Sequence, residues 1–308
     1  MNKKALFFID DVIWVFRDLA RQKPKSIFDH PFLSLLKELH DDYGTRTQLN
    51  VFCVTDHFYG NDIFSLDEMP DTYKDEFTAC SDWLKFGFHA RSEFPDYPYI
   101  NASYEQVAED LGFMKRETLR FAGENTFSRS TTPHWRPISK AACKALKDGG
   151  IRLLSATYGE KIPFEGNEKS LPYGHDFRLR HNRQPETCLF KREFGFAALS
   201  ASLCGYNHIS TADRNRTQFN CECLLDDETG LFFKDLANTP SLNCITLEET
   251  EKEYQEVVDK EFVCYGTHEQ YFYEDYFAYQ PEYPEKLKAA ARILYENGFS
   301  FVFGEELL

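Results

Sequence analysis

One unit recurs along this chain: an amphipathic helix closed by glycine, then a short apolar strand. Phe32, Leu35, Leu36 and Leu39 recur at i, i+3, i+4 and i+7, Gly44 stops the segment, and Asn50 to Thr55 follows as a strand. Ser103 and Gln106 form a capping pair ahead of Tyr104, Val107, Ala108 and Leu111 on one helical face. Ser139 opens a helix that ends at Gly149-Gly150, and Ile151 to Ser155 reads as the strand after it. Leu287, Ala290, Ala291 and Leu294 make a last face, stopped by Gly298 before the strand Phe299 to Phe303. Helices alternating with buried-type strands require helical crossovers on a parallel sheet, and about seven strands along the length make a (β/α) barrel the expected α/β architecture. A doubly wound open sheet is the alternative.

At 308 residues the chain can bury a full core without staples. The expected organisation is one barrel domain over residues 1–308. A stretch at 157–245, polar and without helical periodicity, reads as an irregular insertion before the last unit. A net charge of −15 repels phosphate backbones and anionic lipid heads, so nucleic acid and membrane are not expected partners. No apolar run approaches the roughly 20 residues of a spanning helix, and Asp10-Asp11 interrupts the first apolar run far short of a signal peptide. The nine cysteines are scattered and odd in number, which suits reduced thiols in a cytoplasmic protein. Aromatic side chains make up 16%, enough to fill a core and to wall a site for sugar rings.

Chemistry-bearing residues fall at strand ends, where barrels carry their active sites. Asp10 and Asp11 close the strand Lys4 to Ile9, and a turning backbone there lets both reach one place. His89 closes Leu84 to Phe88, His134 lies at the junction before the Ser139 helix, and His268 closes Phe262 to Thr267. An isolated histidine or Asp-Asp pair is usually structural. Imidazoles and carboxylates from several strands meeting at one mouth, however, are the donors a divalent metal takes. Asp56 and His57 also follow a strand and are candidates for substrate contact, whereas His30, His40, His175, His181 and His208 are assigned structural roles.

These segments, in this order, resemble the polysaccharide deacetylase family of carbohydrate esterases, which shares the name of the nodulation protein that deacetylates chitin oligomers. Phe7-Phe8-Ile9-Asp10-Asp11 resembles its first motif, an apolar strand ending in two aspartates. Gly87-Phe88-His89 supplies the first histidine of its second motif, with Glu93 where the second would stand. Thr132-Pro133-His134-Trp135-Arg136 occupies the place of its third, with a histidine replacing a proline. Phe262 through His268, then Tyr283-Pro284 to Phe303, resembles its last. The resemblance covers residues 1–156 and 260–305 and implies a distorted barrel that binds a divalent ion, zinc being the metal expected.

The resemblance implies Asp10 as general base, with Asp11 and His89 as metal ligands and His268 as proton donor. His134 is expected as the third ligand because imidazole keeps the charge of the site, and Glu93 is the substitute. Arg136 would orient Asp10, while Trp14, Tyr97, Tyr99 and Trp135 could stack on a sugar. The implied function is metal-dependent removal of an N- or O-acyl group from a carbohydrate, with an amino sugar as the expected substrate. A glycosidase on the same scaffold, or a non-catalytic carbohydrate-binding relative, stands as the alternative.

Overall fold

The structure is a computed structural model that describes residues 3–55, 62–94, 98–136, 138–155, 209–236, 238–276 and 278–308. Asp56, His57, Tyr97, His175, His181, His208 and most of the expected insertion lie outside the described residues.

The chain is an α/β fold whose strands form a distorted barrel. Strand β1 (Lys3–Val12) is central, flanked by β2 (Thr47–Phe52) and β8 (Phe262–His268), with β3 (Leu84–Ala90) beyond β2 and β9 (Phe299–Phe301) also on β1. All these pairings are parallel. A second sheet runs β4 (Ser130–Thr131), β5 (Leu153–Leu154), β7 (Phe232–Phe233) and β6 (Leu224–Leu225), and only the β6/β7 pair is antiparallel. A bridge between Phe86 and Phe127 joins the two. The later part of the segment expected to be irregular thus contributes a strand, β7, to the wall. A short helix, α6 (Thr211–Thr217), precedes it, held by the buried Lys234 ammonium, which donates to the Thr217, Asn220 and Glu222 carbonyls at 2.9, 2.7 and 3.0 Å.

The expected helices form for the expected reasons. Helix α2 (Pro31–Tyr43) begins with proline, buries Phe32, Leu33, Leu35, Leu36 and Leu39, and ends at Gly44 with φ +69°, a left-handed value that glycine adopts without strain. Ser103 caps α4 (Tyr104–Phe121) and Ser139 caps α5 (Lys140–Asp148), each accepting a backbone N–H three residues on. Tyr104 departs from expectation: it is exposed and donates to Asp148 at 2.9 Å. Helix α8 (Tyr283–Glu296) buries Leu287, Ala290, Ala291 and Leu294 as its periodicity predicts. Among the described residues no cysteine is paired, and no helix is long and apolar enough to cross a membrane.

Two sequence expectations about strand limits shift. Strand β1 runs through the aspartate pair to Val12, and its register against β2 slips between Ile9 and Val12, so the pair rides on a bulge. Strand β2 spans Thr47–Phe52, three residues earlier at each end than the expected Asn50 to Thr55, and so adds the buried Gln48 to the buried Asn50.

Candidate metal and hydrolytic site

The bulge explains how two neighbouring aspartates share one mouth. Alternation along a strand would send their side chains to opposite faces. Asp11 instead takes φ +62°, a left-handed value costly for a side-chain-bearing residue, which turns its carboxylate toward the strand end where Asp10 pairs with His268 in register. Trp135 and Arg136 are likewise left-handed, with φ +60° and +72°, and the tight turn they make follows His134 directly. Helix α1 (Trp14–Gln22) starts just beyond the bulge, and the buried Glu269 carboxylate closes it by accepting the N–H groups of Ile13, Trp14 and Val15 at 2.7, 2.8 and 2.7 Å. Tyr273 adds a fourth donor at 3.1 Å.

Asp11, His89 and His134 meet at one point, all buried. Asp11 Oδ1 lies 3.0 Å from His89 Nε2 and 3.2 Å from His134 Nδ1, and the two nitrogens are 3.1 Å apart. The outer nitrogens decide the tautomers. His89 Nδ1 donates to the Thr132 carbonyl at 2.5 Å and His134 Nε2 to the Glu93 carbonyl at 3.0 Å. Carbonyls only accept, so each neutral imidazole turns an inner lone pair toward the other and toward the carboxylate. Two facing lone pairs and an anion are an unfavourable triplet without a cation. Donors about 2.0–2.2 Å from a common ion also stand roughly 3 Å apart, as these do. The residues therefore fit a divalent ion, with backbone carbonyls orienting both histidines from behind.

Glu93 does not converge with them. Its carboxylate stands behind His134, 3.9 Å from the outer nitrogen, and accepts from Gln270 at 3.3 Å.

The second carboxylate is held separately. Asp10 Oδ1 accepts from Asn50 Nδ2 at 2.6 Å. Burial pushes the Asp10 carboxyl up to about 6, against the pull of His89 and of the Asn50 bond. Burial acts on Asp11 too, but the charge of His268, with His134 and His89 close by, outweighs it and holds this carboxyl well below the usual range. Burial lowers His134, whereas the neighbouring Asp10 and Asp11 overcome burial at His89 and raise it. His268 Nδ1 faces Asn243 Oδ1 at 2.9 Å, and Ser241 donates to the same oxygen at 2.5 Å. Arg136 pairs with Asp235 at 2.6 Å while its charge bears on Asp10.

Of the aromatic candidates, Trp135 lies against the site, its ring 5.7 Å from that of His134. Trp14 is a correction: it is 3% exposed, sealed by Tyr273 and Tyr276, and presents no ring face to a sugar. Tyr99 is also buried, with its hydroxyl donating to Asp110 at 3.0 Å and accepting from the Arg91 amide at 2.9 Å; it backs a cavity of about 290 Å³ rather than the histidine cluster. Asn50, Asp235, Asn243 and Glu269 complete the surroundings and escaped the sequence reading. The available signal was polar spacing: Gln48 and Asn50 alternate in a strand otherwise apolar.

No protein-family profile and no curated protein matches the sequence. Among solved structures, the 4-alpha-glucanotransferase of Thermococcus litoralis is similar at a TM-score of 0.52 and 11% identity, over 100% of this chain and 40% of that one. The likeness is one of fold. The Xyl-CE4 domain of a multidomain xylanase from the hindgut metagenome of Trinervitermes trinervoides aligns at a TM-score of 0.43 and 9% identity, covering 100% of this chain and 90% of that domain. A structure described as T48 deacetylase with substrate aligns at 0.40 and 9%, covering 99% and 90%.

Proposed function

We propose that this chain is a metal-dependent hydrolase that removes an N- or O-acyl group from a carbohydrate, with an amino sugar as the expected substrate. The observation that carries the reading is the inward-facing Asp11-His89-His134 donor set, flanked by a second carboxylate and a third histidine. A divalent ion held there, zinc being the metal expected, supplies Lewis-acid polarisation of an acyl carbonyl and a more acidic water. Asp10, with Oδ1 held by Asn50, takes the proton of the attacking water at Oδ2. His268, steadied through Nδ1 by Asn243, offers Nε2 to protonate the departing amine or alcohol. Arg136, braced by Asp235, adds its positive charge to the field at Asp10. Trp135 is positioned to stack on the sugar, and the −15 charge of the chain favours neutral or amine-bearing substrates over acidic ones.

The fold likeness to a glucanotransferase favours a second reading, cleavage of a glycosidic bond. That chemistry asks one carboxylate to act as acid and another as nucleophile, about 5–5.5 Å apart in a retaining enzyme. Asp11 is engaged by two imidazoles, which suits a ligand better than a nucleophile. Acetate release from N-acetylated amino-sugar oligomers decides between them: it should require metal and vanish in Asp10→Asn with the metal retained. Activity surviving that substitution would remove Asp10 as base, and activity indifferent to chelation would remove the metal reading.

A further inference from the structure

Barrel interiors are ordinarily packed with branched apolar side chains. Here a hydrogen-bonded polar chain runs through the interior from one end of β2 to the site. Asn50, which donates to Asp10 at 2.6 Å, accepts through Oδ1 from Gln48 Nε2 at 2.7 Å. Gln48 Oε1 in turn accepts from the Ser130 and Ser128 hydroxyls at 2.7 and 2.8 Å. Both hydroxyls also reach Glu305 Oε2, at 3.3 and 3.1 Å, and Glu305 is anchored by Lys85 at 2.9 Å. Gln48, Asn50, Ser128 and Ser130 are all buried, so each unmet polar atom would carry a full desolvation cost.

The chain has a direction. An amide offers a donor at one end and acceptors at the other, so fixing one fixes the next. A carboxylate ready to take a proton has only lone pairs, so Asn50 must present its nitrogen to Asp10 and its oxygen to Gln48. Gln48 must then present its own oxygen to the serines. Two serine protons serve two acceptors, Gln48 Oε1 and Glu305 Oε2. Without the serines, nothing satisfies Gln48 Oε1, and only the Ser130 carbonyl, which accepts from Gln48 Nε2 at 3.1 Å, still holds the orientation that Gln48 passes to Asn50. The room for this chain comes from Gly87, where a Cβ would lie 2.4 Å from Asn50 Oδ1 and 2.8 Å from Gln48 Nε2.

We propose that Gln48, Ser128 and Ser130, anchored by Glu305, are positioning residues that act through Asn50 to hold Asp10 Oδ1 and aim Oδ2 at the substrate water. The proposal rests on the reading of Asp10 as base. It is tested in two independent measurements on the zinc-loaded protein: side-chain amide NMR signals of Asn50 and Gln48, which need no turnover, and kcat and KM for an acetylated amino-sugar oligomer. The Ser128→Ala/Ser130→Ala variant should broaden or double both amide signals and lower kcat about tenfold with KM and metal content unchanged, as expected when a reacting group loses its alignment. Gln48→Met, of similar length but without the amide, should shift the Asn50 signal and lower kcat in the same way if the double variant does not fold. An Asn50 signal unmoved in a folded variant overturns the relay. A signal that responds while no form of the protein releases acetate sustains the relay and overturns the hydrolytic reading.

Discussion

Gly87→Ala places one methyl group where the structure has none to spare. Its Cβ would stand 2.4 Å from Asn50 Oδ1, 2.8 Å from Gln48 Nε2 and 3.1 Å from the Ser130 carbonyl oxygen. Carbon–oxygen contacts settle near 3.3 Å, so Asn50 must withdraw by about 0.9 Å. That withdrawal stretches the 2.6 Å bond to Asp10 to the edge of hydrogen bonding and opens the 2.7 Å bond from Gln48. Two buried hydrogen bonds at about 1–2 kcal/mol each, with about 1–3 kcal/mol of overpacking, put the cost at about 3–7 kcal/mol. Urea unfolding of the wild type, Gly87→Ala, Asn50→Ala and the double variant measures it. Asn50→Ala removes the clashing atom, so the glycine substitution should cost about 1–2 kcal/mol in that background, a coupling of at least about 1 kcal/mol. Gly112→Ala is the control: it lies inside α4 with nothing within 4 Å of the added carbon and should be neutral or stabilising by up to about 1 kcal/mol. A Gly87→Ala cost below about 1 kcal/mol, or one unchanged in the Asn50→Ala background, would refute the close packing of the relay over β3.

Burial pushes the Glu269 carboxyl up to about 7, against the four donors it accepts, so the folded state holds its proton more tightly than the unfolded chain. This group's contribution is full below pH 4.5 and is lost as pH rises through about 7, and Glu269→Gln should flatten the pH profile of unfolding free energy in that window. An unchanged slope would mean that the carboxyl is not shifted. Lys234→Met leaves three carbonyls without their ammonium donor; unfolding should cost about 2–4 kcal/mol less, and limited proteolysis should find residues 217–222 cut faster than in the wild type. Asn243→Ala removes the acceptor of His268 Nδ1 and should lower kcat for acetyl release about tenfold or more without loss of metal; unaltered kcat would show that the imidazole needs no such brace.

The alternation of helix and strand was legible because each helix declares itself twice, by an apolar face and by a cap such as Ser103, Ser139 or Gly44. The end of β1 was harder to read. Asp10 and Asp11 look like residues beyond a strand, since polarity marks an exit, yet the parallel ladder to His268 continues alongside them. The start of β2 was misread for the same reason: Gln48 looks like a residue before the strand, yet it lies within it and is buried beside Asn50. His89, His134 and Asp11 were traceable by their positions at strand ends, but their inward tautomers depend on the Thr132 and Glu93 carbonyls, which only the folded chain brings close. Trp14 misled because an aromatic residue after an aspartate pair fits a sugar platform as well as a core. Glu269 decides between them by capping the helix that carries Trp14 inward.

The most direct measurement is metal binding by the purified chain. The metal-free protein should bind one zinc ion per chain in a calorimetric titration, Asp11→Asn and His134→Ala should each weaken binding at least about tenfold, and Glu93→Gln should leave it near the wild-type value. A wild-type chain that takes up no divalent ion, or one whose binding survives His134→Ala and fails in Glu93→Gln, would contradict the Asp11-His89-His134 site.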